Sequence, residues 1–573
     1  MSFCKGIICI SVLFVLLISG CSRNEADNSN SLFSEGQFIT SDSGMVVSAH
    51  PESSKVGINI LRKGGNAMDA AAAVEFALAV CYPEAGNLGG GGFMVIRKAS
   101  GETDAIDYRE KAPAASRRDM FLDSAGNVIR GLSTNSHLAC GVPGTVDGII
   151  KVHSKYGKLP FNEIIQPAID LAEKGFPVTA VQAKSLNANR INFIERNRIR
   201  PAFVKDSLWK EGDTLIQPEL ANTLKLIRDY GRDGFYKGIT AQRIEAEMKR
   251  GNGLITSEDL ASYDAQWREP VTGTYRGYRI IAAPPPSGGG IILLQLLGMV
   301  ENFPLRKWGF HSAKAIHIMI EAEKRAFADR AEFLGDPDYV KIPVNGLINK
   351  RYLKGRISNV DMRKASSPEE ITAGNPEWIE SEETTHYSVV DAFGNAVAAT
   401  TTLNATFGTS IVVEGAGFLL NNQMDDFSIK PGYPNIYGLT GSEANSIQPG
   451  KRMLSSMTPA IVEKNKKLFL ILGSPGGSTI PTSVFQVIVN VIDFRMSIKD
   501  AVIAGRFHNQ WLPDQTDMEK ESIDSLTIAV LRNLGHKFYT RSAIGRVNAI
   551  MIDKNGLRHS GADPRGNNVA CGY

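Results

Sequence analysis

The segment from Thr384 to Asn404 constrains the fold of this chain more than any other. It reads TTHYSVVDAFGNAVAATTTLN, with two runs rich in β-branched and small residues, His386–Val390 and Ala396–Thr402, on either side of DAFGN. The Gly-Asn pair that ends DAFGN can take the positive φ that a tight turn requires. The segment therefore predicts a β-hairpin whose first strand begins almost at Thr384.

Hydroxyl side chains stand at both ends of this hairpin. Thr384 is followed by Thr385, and Thr402 lies near the end of the returning strand. One interpretation is a hydroxyl nucleophile with a second hydroxyl to support it. The other is a plain cross-strand pair, because Thr is a common strand residue. The hairpin alone leaves both interpretations open.

Composition indicates an ordinary globular protein. The chain has 573 residues, of which 43% are hydrophobic and 21% charged, and its 63 basic and 60 acidic residues give a net charge of +3. A chain of this length can form several compact units or one large sandwich. The balanced charge predicts no surface for nucleic acid.

The N-terminus has the pattern of an export signal. Lys5 precedes Ile7–Ile18, which is apolar apart from Ser11 and shorter than the roughly 20 residues that span a bilayer. The run ends in Ile-Ser-Gly-Cys, which resembles a bacterial lipobox in which Cys21 is lipidated. We therefore expect residues 1–21 to be a lipoprotein signal, with an ordinary secretory signal cut nearby as the alternative.

A polar stretch and the remaining cysteines follow the signal. Residues 22–37 read as a flexible tether, and we expect order to begin near Phe38. Cys81, Cys140 and Cys571 are too few and too widely spaced to make a disulfide framework. The sequence has neither CxxC nor HExxH, so we expect no protein-bound metal.

Helices and strands come in blocks rather than in strict βαβ alternation, which favours stacked sheets covered by helices. An exposed acidic loop is expected over Pro368–Glu383, just before Thr384. The glycine-rich stretch Asn87–Lys98 lacks a phosphate-binding spacing, so we interpret its glycines as allowing close backbone approach.

The predicted helices are Pro51–Arg62, Ala67–Val80, Phe161–Lys174, Pro218–Tyr230, Thr240–Arg250, Ile291–Val300, His311–Phe333, Pro481–Asp493, Ile498–Ala504 and Ser522–Leu534. The predicted strands outside the hairpin are Met45–Ala49, Phe93–Arg97, Asp104–Arg109, Tyr275–Ala282, Gly417–Asn421, Pro459–Glu463, Lys467–Leu472 and Val547–Asp553.

Several motifs in fixed order carry a family resemblance. No GxSxG elbow occurs, which excludes a serine hydrolase of the α/β class. The motifs NLGGGGFMV, DYREKAPA, PPPSGGG, TTHYSVVD, LLNNQMDDFS, LSSMTP and GSPGGS instead resemble the γ-glutamyltranspeptidase family of N-terminal nucleophile hydrolases, from about Phe38 to Tyr573. The resemblance implies an α+β fold, a four-layer αββα sandwich.

The resemblance also implies self-cleavage between Glu383 and Thr384. A large subunit, 38–383, and a small catalytic subunit, 384–573, would then form one heterodimeric sandwich. The new α-amino group of Thr384 would act as a built-in general base, since its pKa lies at about 7.7–8.0. No cofactor is needed for this covalent chemistry.

Roles for individual residues follow from the same motifs. Thr384 is the implied nucleophile and Thr402 its supporting hydroxyl, while Tyr437 corresponds to a lid tyrosine on a loop over 431–450, with an ordinary surface loop as the alternative. The implied oxyanion and substrate-binding groups are Gly476 and Gly477 for the oxyanion; Arg109, Ser455 and Ser456 for the α-carboxylate; and Asn404, Gln423 and Asp426 for the α-ammonium.

The implied activity is γ-glutamyl transfer from glutathione or other γ-glutamyl compounds to water, amino acids or dipeptides, on the outer side of a bacterial membrane. Contact with that membrane would be through the lipid only. One alternative is an acylase of the same superfamily that acts on glutaryl β-lactam (cephalosporin) side chains, disfavoured because the binding residues suit an amino-acid end with both charges. The other is a non-catalytic binding lipoprotein, which would have no need of a nucleophile, oxyanion glycines and carboxylate clamp together.

Overall fold

Two antiparallel sheets, stacked face to face, form the centre of the molecule. The computed structural model describes residues 33–376 and 386–573. The strands in chain order are β1 Ser34–Gly36, β2 Thr40–Ser41, β3 Met45–Ser48, β4 Gly91–Arg97, β5 Thr103–Asp107, β6 Phe176–Pro177, β7 Thr214–Leu215, β8 Gln266–Arg268, β9 Val271–Tyr275, β10 Tyr278–Ala282, β11 Tyr387–Val390, β12 Ala396–Thr402, β13 Ala460–Lys464, β14 Lys467–Gly473, β15 Phe507–Asn509, β16 Thr516–Glu519, β17 Phe538–Arg541, β18 Asn548–Ile552, β19 Arg558–Ala562 and β20 Val569–Gly572.

The first sheet has eight strands in the order β1-β20-β3-β11-β12-β4-β5-β8, and the second has seven in the order β2-β19-β18-β14-β13-β10-β9. Two small sheets, β15-β16-β17 and β6-β7, lie apart. Each large sheet contains strands from before residue 376 and strands from after residue 386. The two parts of the chain therefore share one core.

Helices cover the outer face of each large sheet. Many begin at a capping side chain, such as Asn66 before α2, which accepts the backbone N–H groups of Met68 and Asp69. The helices are α1 Pro51–Arg62, α2 Ala67–Cys81, α3 Leu132–Asn135, α4 Thr145–Tyr156, α5 Phe161–Lys174, α6 Ala180–Arg196, α7 Pro218–Tyr230, α8 Asp233–Tyr236, α9 Gly238–Arg250, α10 Ser257–Ser262, α11 Gly289–Val300, α12 Leu305–Trp308, α13 Ala313–Phe333, α14 Val344–Leu347, α15 Lys350–Ile357, α16 Ile480–Ile492, α17 Ile498–Ile503 and α18 Ser525–Asn533.

Alternation along the strands divides the buried side chains into layers. In β12, Ala396 and Ala398 face the second sheet, whereas Val397 and Ala399 face the helix layer that includes α2. A third apolar cluster packs α11, α13 and α16 against the outer face of the second sheet. The order helix, sheet, sheet, helix confirms the expected four-layer αββα sandwich. None of the helices in the described residues is both long and apolar enough to cross a bilayer.

Several element predictions agree with the structure, and others are wrong in whole or in part. The predicted strand Gly417–Asn421 is an irregular segment with one isolated bridge, and the predicted strand Tyr275–Ala282 is confirmed only over Tyr278–Ala282, because Tyr275 ends β9 and the chain turns at Arg276, where φ is +50°. Order begins before Phe38, because Ser34–Gly36 pairs with the C-terminal strand β20. The expected loop Pro368–Glu383 starts with a single 3-10 turn at Pro368–Glu370, and its end lies outside the described residues.

Candidate active site

A cleft of about 980 Å³ opens at the end of β12. Its lining brings together six of the residues that the motifs single out, although they are spread from position 402 to position 477. These six are Thr402, Asn404, Gln423, Asp426, Gly476 and Gly477, and Tyr437 stands over them on the same lining.

Thr402 is fixed by its backbone as well as by its hydroxyl. Its carbonyl accepts a hydrogen bond of 2.8 Å from Asn87 Nδ2, and its Oγ1 accepts one of 2.8 Å from the Asn404 backbone N–H. Asn404 has φ of +74°, and its Nδ2 donates to the Asn422 carbonyl at 3.0 Å. The strand end and the turn after it are therefore held as a rigid wall of the cleft.

The glycine-rich stretch before β4 allows this close packing. A Cβ on Gly89 would clash with the Leu419 carbonyl, and a Cβ on Gly90 would clash with the carbonyl of Thr402. The interpretation that these glycines admit close backbone approach is confirmed. Close packing against the end of β12 therefore explains these glycines without a phosphate-binding role.

Opposite charges meet at one end of the cleft. Arg109 Nη2 lies 2.6 Å from Asp426 Oδ2, and Gln423 Nε2 donates to the same oxygen at 2.8 Å. Burial raises the pKa of Asp426, and the Arg109 guanidinium opposes that rise. Burial also raises the pKa of Glu110, which is 3.5 Å from Arg109 Nη1, to about 7. Of these groups Asp426 and Gln423 line the cleft, so a carboxylate and an amide can meet a cationic ligand group at this end.

The carboxylate-binding set is less exposed than the sequence indicates. Arg109, Ser455 and Ser456 are buried, with 0%, 1% and 0% exposure, and the described cleft lining does not include them. Arg109 lies directly behind Asp426 and donates weakly to the Leu454 carbonyl at 3.5 Å. The expectation that Arg109 ends its strand is wrong, since β5 stops at Asp107. Its guanidinium contacts Asp426, which lines the cleft.

The glycine pair opens a backbone face toward the cleft. Gly476 and Gly477 have φ of +139° and +58°, in a region that favours glycine, and Gly477 begins the 3-10 turn that leads into α16. Within the described residues, neither backbone N–H donates to another protein group. Two unused donors side by side in a cleft can stabilise a developing oxyanion.

Tyr437 closes over the glycine pair. Its hydroxyl donates to the Asn404 carbonyl at 2.6 Å, and a Cβ placed on Gly477 would lie 2.5 Å from the Tyr437 ring. The loop that carries it is anchored by Asn435 Nδ2 on Asp426 Oδ1 at 3.2 Å and by the Ile436 N–H on Asp425 Oδ2 at 3.0 Å. The structure thus brings the predicted lid tyrosine onto Asn404.

Four of the predicted positions lie outside the described residues. These are the nucleophile Thr384 with its neighbour Thr385, the residue Glu383 before the predicted cut, and the predicted lipid site Cys21. The described chain resumes at His386, whose Nδ1 is 3.3 Å from Thr400 Oγ1. Burial lowers the pKa of His386 to about 3, so this imidazole is neutral.

Sequence reasoning missed several residues that build the cleft. Asn421 joins two loops, with its Oδ1 accepting the Gly141 N–H at 2.8 Å and its Nδ2 donating to the Gly89 carbonyl at 2.8 Å. It belongs to the polar cluster NNQMDD, and this cluster could have identified Asn421 from the sequence as a residue of the site. Tyr82, Glu84 and Arg546 also line the cleft, but they lie in segments without any chemical pattern.

One group of potential metal ligands lies apart from the cleft. His317, Glu321 and His536 have ligand atoms within 4.8 Å of one another. His317 Nδ1 is hydrogen-bonded to His536 Nε2 at 2.7 Å, and Glu321 binds Arg325 at 2.6 Å. Each of the three side chains thus has at least one hydrogen-bond partner, and the expectation of no metal stays a prediction.

Comparison with known proteins gives a consistent result over nearly the whole chain. A family model described as gamma-glutamyltranspeptidase matches residues 53–573. The glutathione hydrolase proenzyme of Escherichia coli (strain K12) is 49% identical over 542 residues, covering 93% of this chain and 93% of that protein.

Solved structures with the same architecture include two different activities by name. A cephalosporin acylase from Bacillus halodurans superposes with a TM-score of 0.82 at 27% identity, covering 94% of this chain and 97% of that one. A gamma-glutamyltranspeptidase chain from Helicobacter pylori has a TM-score of 0.56 at 46% identity, covering 57% of this chain and 94% of that one.

Proposed function

This chain belongs to the γ-glutamyltranspeptidase family, and on that premise we propose that it is a self-cleaving γ-glutamyltransferase and glutathione hydrolase. Its γ-glutamyl donor is glutathione or a related compound, and its acceptor is water, an amino acid or a dipeptide. The observation that carries the proposal is the cleft itself, whose lining combines the Asp426 carboxylate, backed by the buried Arg109, with two glycine N–H groups that donate to no protein group of the described residues. An amino-acid end and a carbonyl next to it would fit these two features.

The described start of the hairpin lies close to the cleft and supports Thr384 as the nucleophile. In the pairing of β11 with β12, Tyr387 is opposite Ala399 and Ser388 is opposite Ala398. His386, the first described residue after the proposed cut, has its Nδ1 3.3 Å from Thr400 Oγ1, and Thr402, two residues further along β12, lines the cleft.

Maturation and turnover use the same hydroxyl. The Thr384 Oγ attacks the Glu383 carbonyl, and the N-to-O shift breaks the C–N bond, which frees the Thr384 α-amino group and leaves an ester on Oγ. Water then hydrolyses this ester to the Glu383 carboxylate and the free Thr384 hydroxyl. In turnover, that amine takes the Oγ proton while Oγ attacks the γ-carbonyl of the donor. The leaving amine takes the proton, and the γ-glutamyl ester then passes to water or to an acceptor amine. Each large sheet contains strands from both fragments, and this pairing would hold them together after cleavage.

Donor recognition uses the charged end of the cleft. Asp426 and Gln423 receive the α-ammonium group, together with Asn404, and Arg109 with Ser455 and Ser456 receives the α-carboxylate. A cephalosporin acylase would hold a glutaryl group, which has no ammonium to meet Asp426. The buried pairing of Asp426 with Arg109 favours a γ-glutamyl donor over a glutaryl one.

Export and lipid attachment at Cys21 are part of the proposal and rest on the N-terminal sequence alone. Labelled palmitate should enter the wild-type protein in cells and should not enter Cys21→Ala. Incorporation that persists in the variant would contradict attachment at this residue.

The function is tested on purified protein with γ-glutamyl-p-nitroanilide and with a glutaryl β-lactam. We expect release of p-nitroaniline, stimulated by a dipeptide acceptor, and little or no glutaryl cleavage. Faster glutaryl cleavage would favour the acylase, and no turnover of either compound would favour the binding lipoprotein.

A further inference from the structure

A second cationic group lies on the cleft, and the proposed chemistry does not use it. Arg546 lines the cleft with Tyr82 and Glu84, and its Nη1 donates to the Tyr82 hydroxyl at 3.2 Å. Within the described residues, the hydrogen bonds of Arg546 go to the hydroxyls of Ser474 and Tyr82, and no carboxylate lies within 4.0 Å of its guanidinium. The remaining donors of a fork that suits carboxylates are therefore available to a ligand.

The glycine pair fixes where Arg546 lies relative to the reacting carbonyl. Gly477 packs against the Tyr437 ring, on the side that leads to Asn404. Gly476 packs against Gly545, since its Cβ would lie 3.4 Å from the Gly545 Cα atom. Arg546 is the next residue along the chain, so its backbone lies near Gly476, whereas the lid tyrosine packs on Gly477.

The backbone of Arg546 is tied to the same glycine loop. Its N–H donates to Ser474 Oγ at 2.9 Å, and Ser474 comes two residues before Gly476. The side chain passes over Gly566, where a Cβ would lie 2.9 Å from the Arg546 Cδ atom. Because both the backbone and the side chain of Arg546 are held in place, its guanidinium loses little further conformational entropy when it binds a ligand.

We infer that Arg546 binds a carboxylate on the leaving or accepting amine, and so selects γ-glutamyl peptides with a free C-terminal carboxylate over γ-glutamyl amides. This inference rests on the proposed function, because it assumes that the glycine pair binds the γ-carbonyl. In glutathione the group in question is the glycine carboxylate, at the far end of the leaving dipeptide. The same contact would favour dipeptides with a free carboxylate as acceptors.

Other charged groups on the cleft fit this role less well. Arg541 is paired with Asp517 at 3.1 Å, and Lys184 lies on an exposed turn of α6. Glu84 is a carboxylate close to Arg546, and burial raises its pKa while Arg546 opposes that rise. Within the described residues, Arg546 is the half-buried basic side chain of the cleft lining that has no carboxylate within 4.0 Å.

The test compares two donors that differ only at the proposed contact, glutathione and its glycyl monoethyl ester. The matured wild-type enzyme should have a higher kcat/KM for the free acid, by roughly ten-fold, as expected for one charge-assisted hydrogen bond. In Arg546→Gln that ratio should fall to near one, and in Arg546→Lys it should be intermediate. The matched control Arg541→Gln should keep the wild-type ratio.

Each outcome decides the inference. A wild-type ratio near one overturns it without any variant, so it stays testable even if Arg546→Gln does not mature. An Arg546→Gln ratio equal to that of the wild type also overturns it, while turnover of both donors leaves the proposed function intact. No turnover of either donor by the wild type would refute the proposed function and the inference together.

Discussion

Removal of one hydroxyl should loosen the loop over the cleft. Tyr437→Phe deletes the hydrogen bond of 2.6 Å to the Asn404 carbonyl and keeps the ring that packs on Gly477. A neutral hydrogen bond contributes about 1 kcal/mol net, which corresponds to roughly a five-fold change in an equilibrium constant. The open form of the loop should therefore become roughly five times more populated.

Hydrogen exchange at a single amide can measure this shift. The Ile436 N–H donates to Asp425 Oδ2 at 3.0 Å and is released when the loop lifts. Its exchange should be roughly five times faster in Tyr437→Phe than in the wild type, if opening is fast compared with chemical exchange. Tyr433→Phe is the matched control, because Tyr433 is on the same loop and is 44% exposed. The Ile436 N–H of this control should exchange at the wild-type rate.

The reasoning would be refuted by an unchanged Ile436 exchange rate in Tyr437→Phe. It would also be refuted if Tyr433→Phe accelerated exchange equally, because the effect would then be general to the loop. A faster exchange confined to Tyr437→Phe would establish that the Tyr437 hydroxyl holds the loop closed.

Three further substitutions test separate parts of the site. Gly477→Ala places a Cβ 2.5 Å from the Tyr437 ring at a φ of +58°, so kcat for γ-glutamyl-p-nitroanilide should fall at least about 100-fold, and near wild-type kcat would contradict the oxyanion role. Asp426→Asn leaves the Arg109 charge without its carboxylate, so KM for the donor should rise at least about ten-fold, and an unchanged KM would remove Asp426 from donor binding. Burial raises the pKa of Glu110 to about 7, so the stability that this group contributes is fully present below about pH 4.5 and is lost as pH rises through about 7. The Tm of Glu110→Gln minus the Tm of the wild type should therefore be more positive at pH 8 than at pH 5. A Tm difference that does not change with pH would refute this.

Local signals explain which elements were predictable from the sequence. The limits of Pro51–Arg62, Phe161–Lys174 and Ala396–Thr402 match the structure because caps, glycine stops and alternation are encoded within each segment. Helix α6 was missed because its outer face carries exposed apolar residues, including Ile191 at 66%, which blur the amphipathic pattern. The C-terminal strand β20 depends on partners that are distant in sequence.

The site shows the same division between local and tertiary information. Motif residues such as Thr402, Gln423 and Gly477 do meet in one cleft. The burial of Arg109 behind Asp426 could not be inferred from its place near a strand end, because it depends on a segment more than 300 residues away. Arg546 gave no signal at all, since its position depends on packing between Gly545 and Gly476.

The central claim is that Thr384 becomes the first residue of a separate, catalytic chain. Incubated wild-type protein should run as two fragments on a denaturing gel, and N-terminal sequencing of the smaller one should read Thr-Thr-His-Tyr-Ser. Thr384→Ala should stay uncut and release no γ-glutamyl product, while Thr385→Ala should still be cut. A single wild-type band that turns over γ-glutamyl-p-nitroanilide, or a smaller fragment that begins at another residue, would contradict the account.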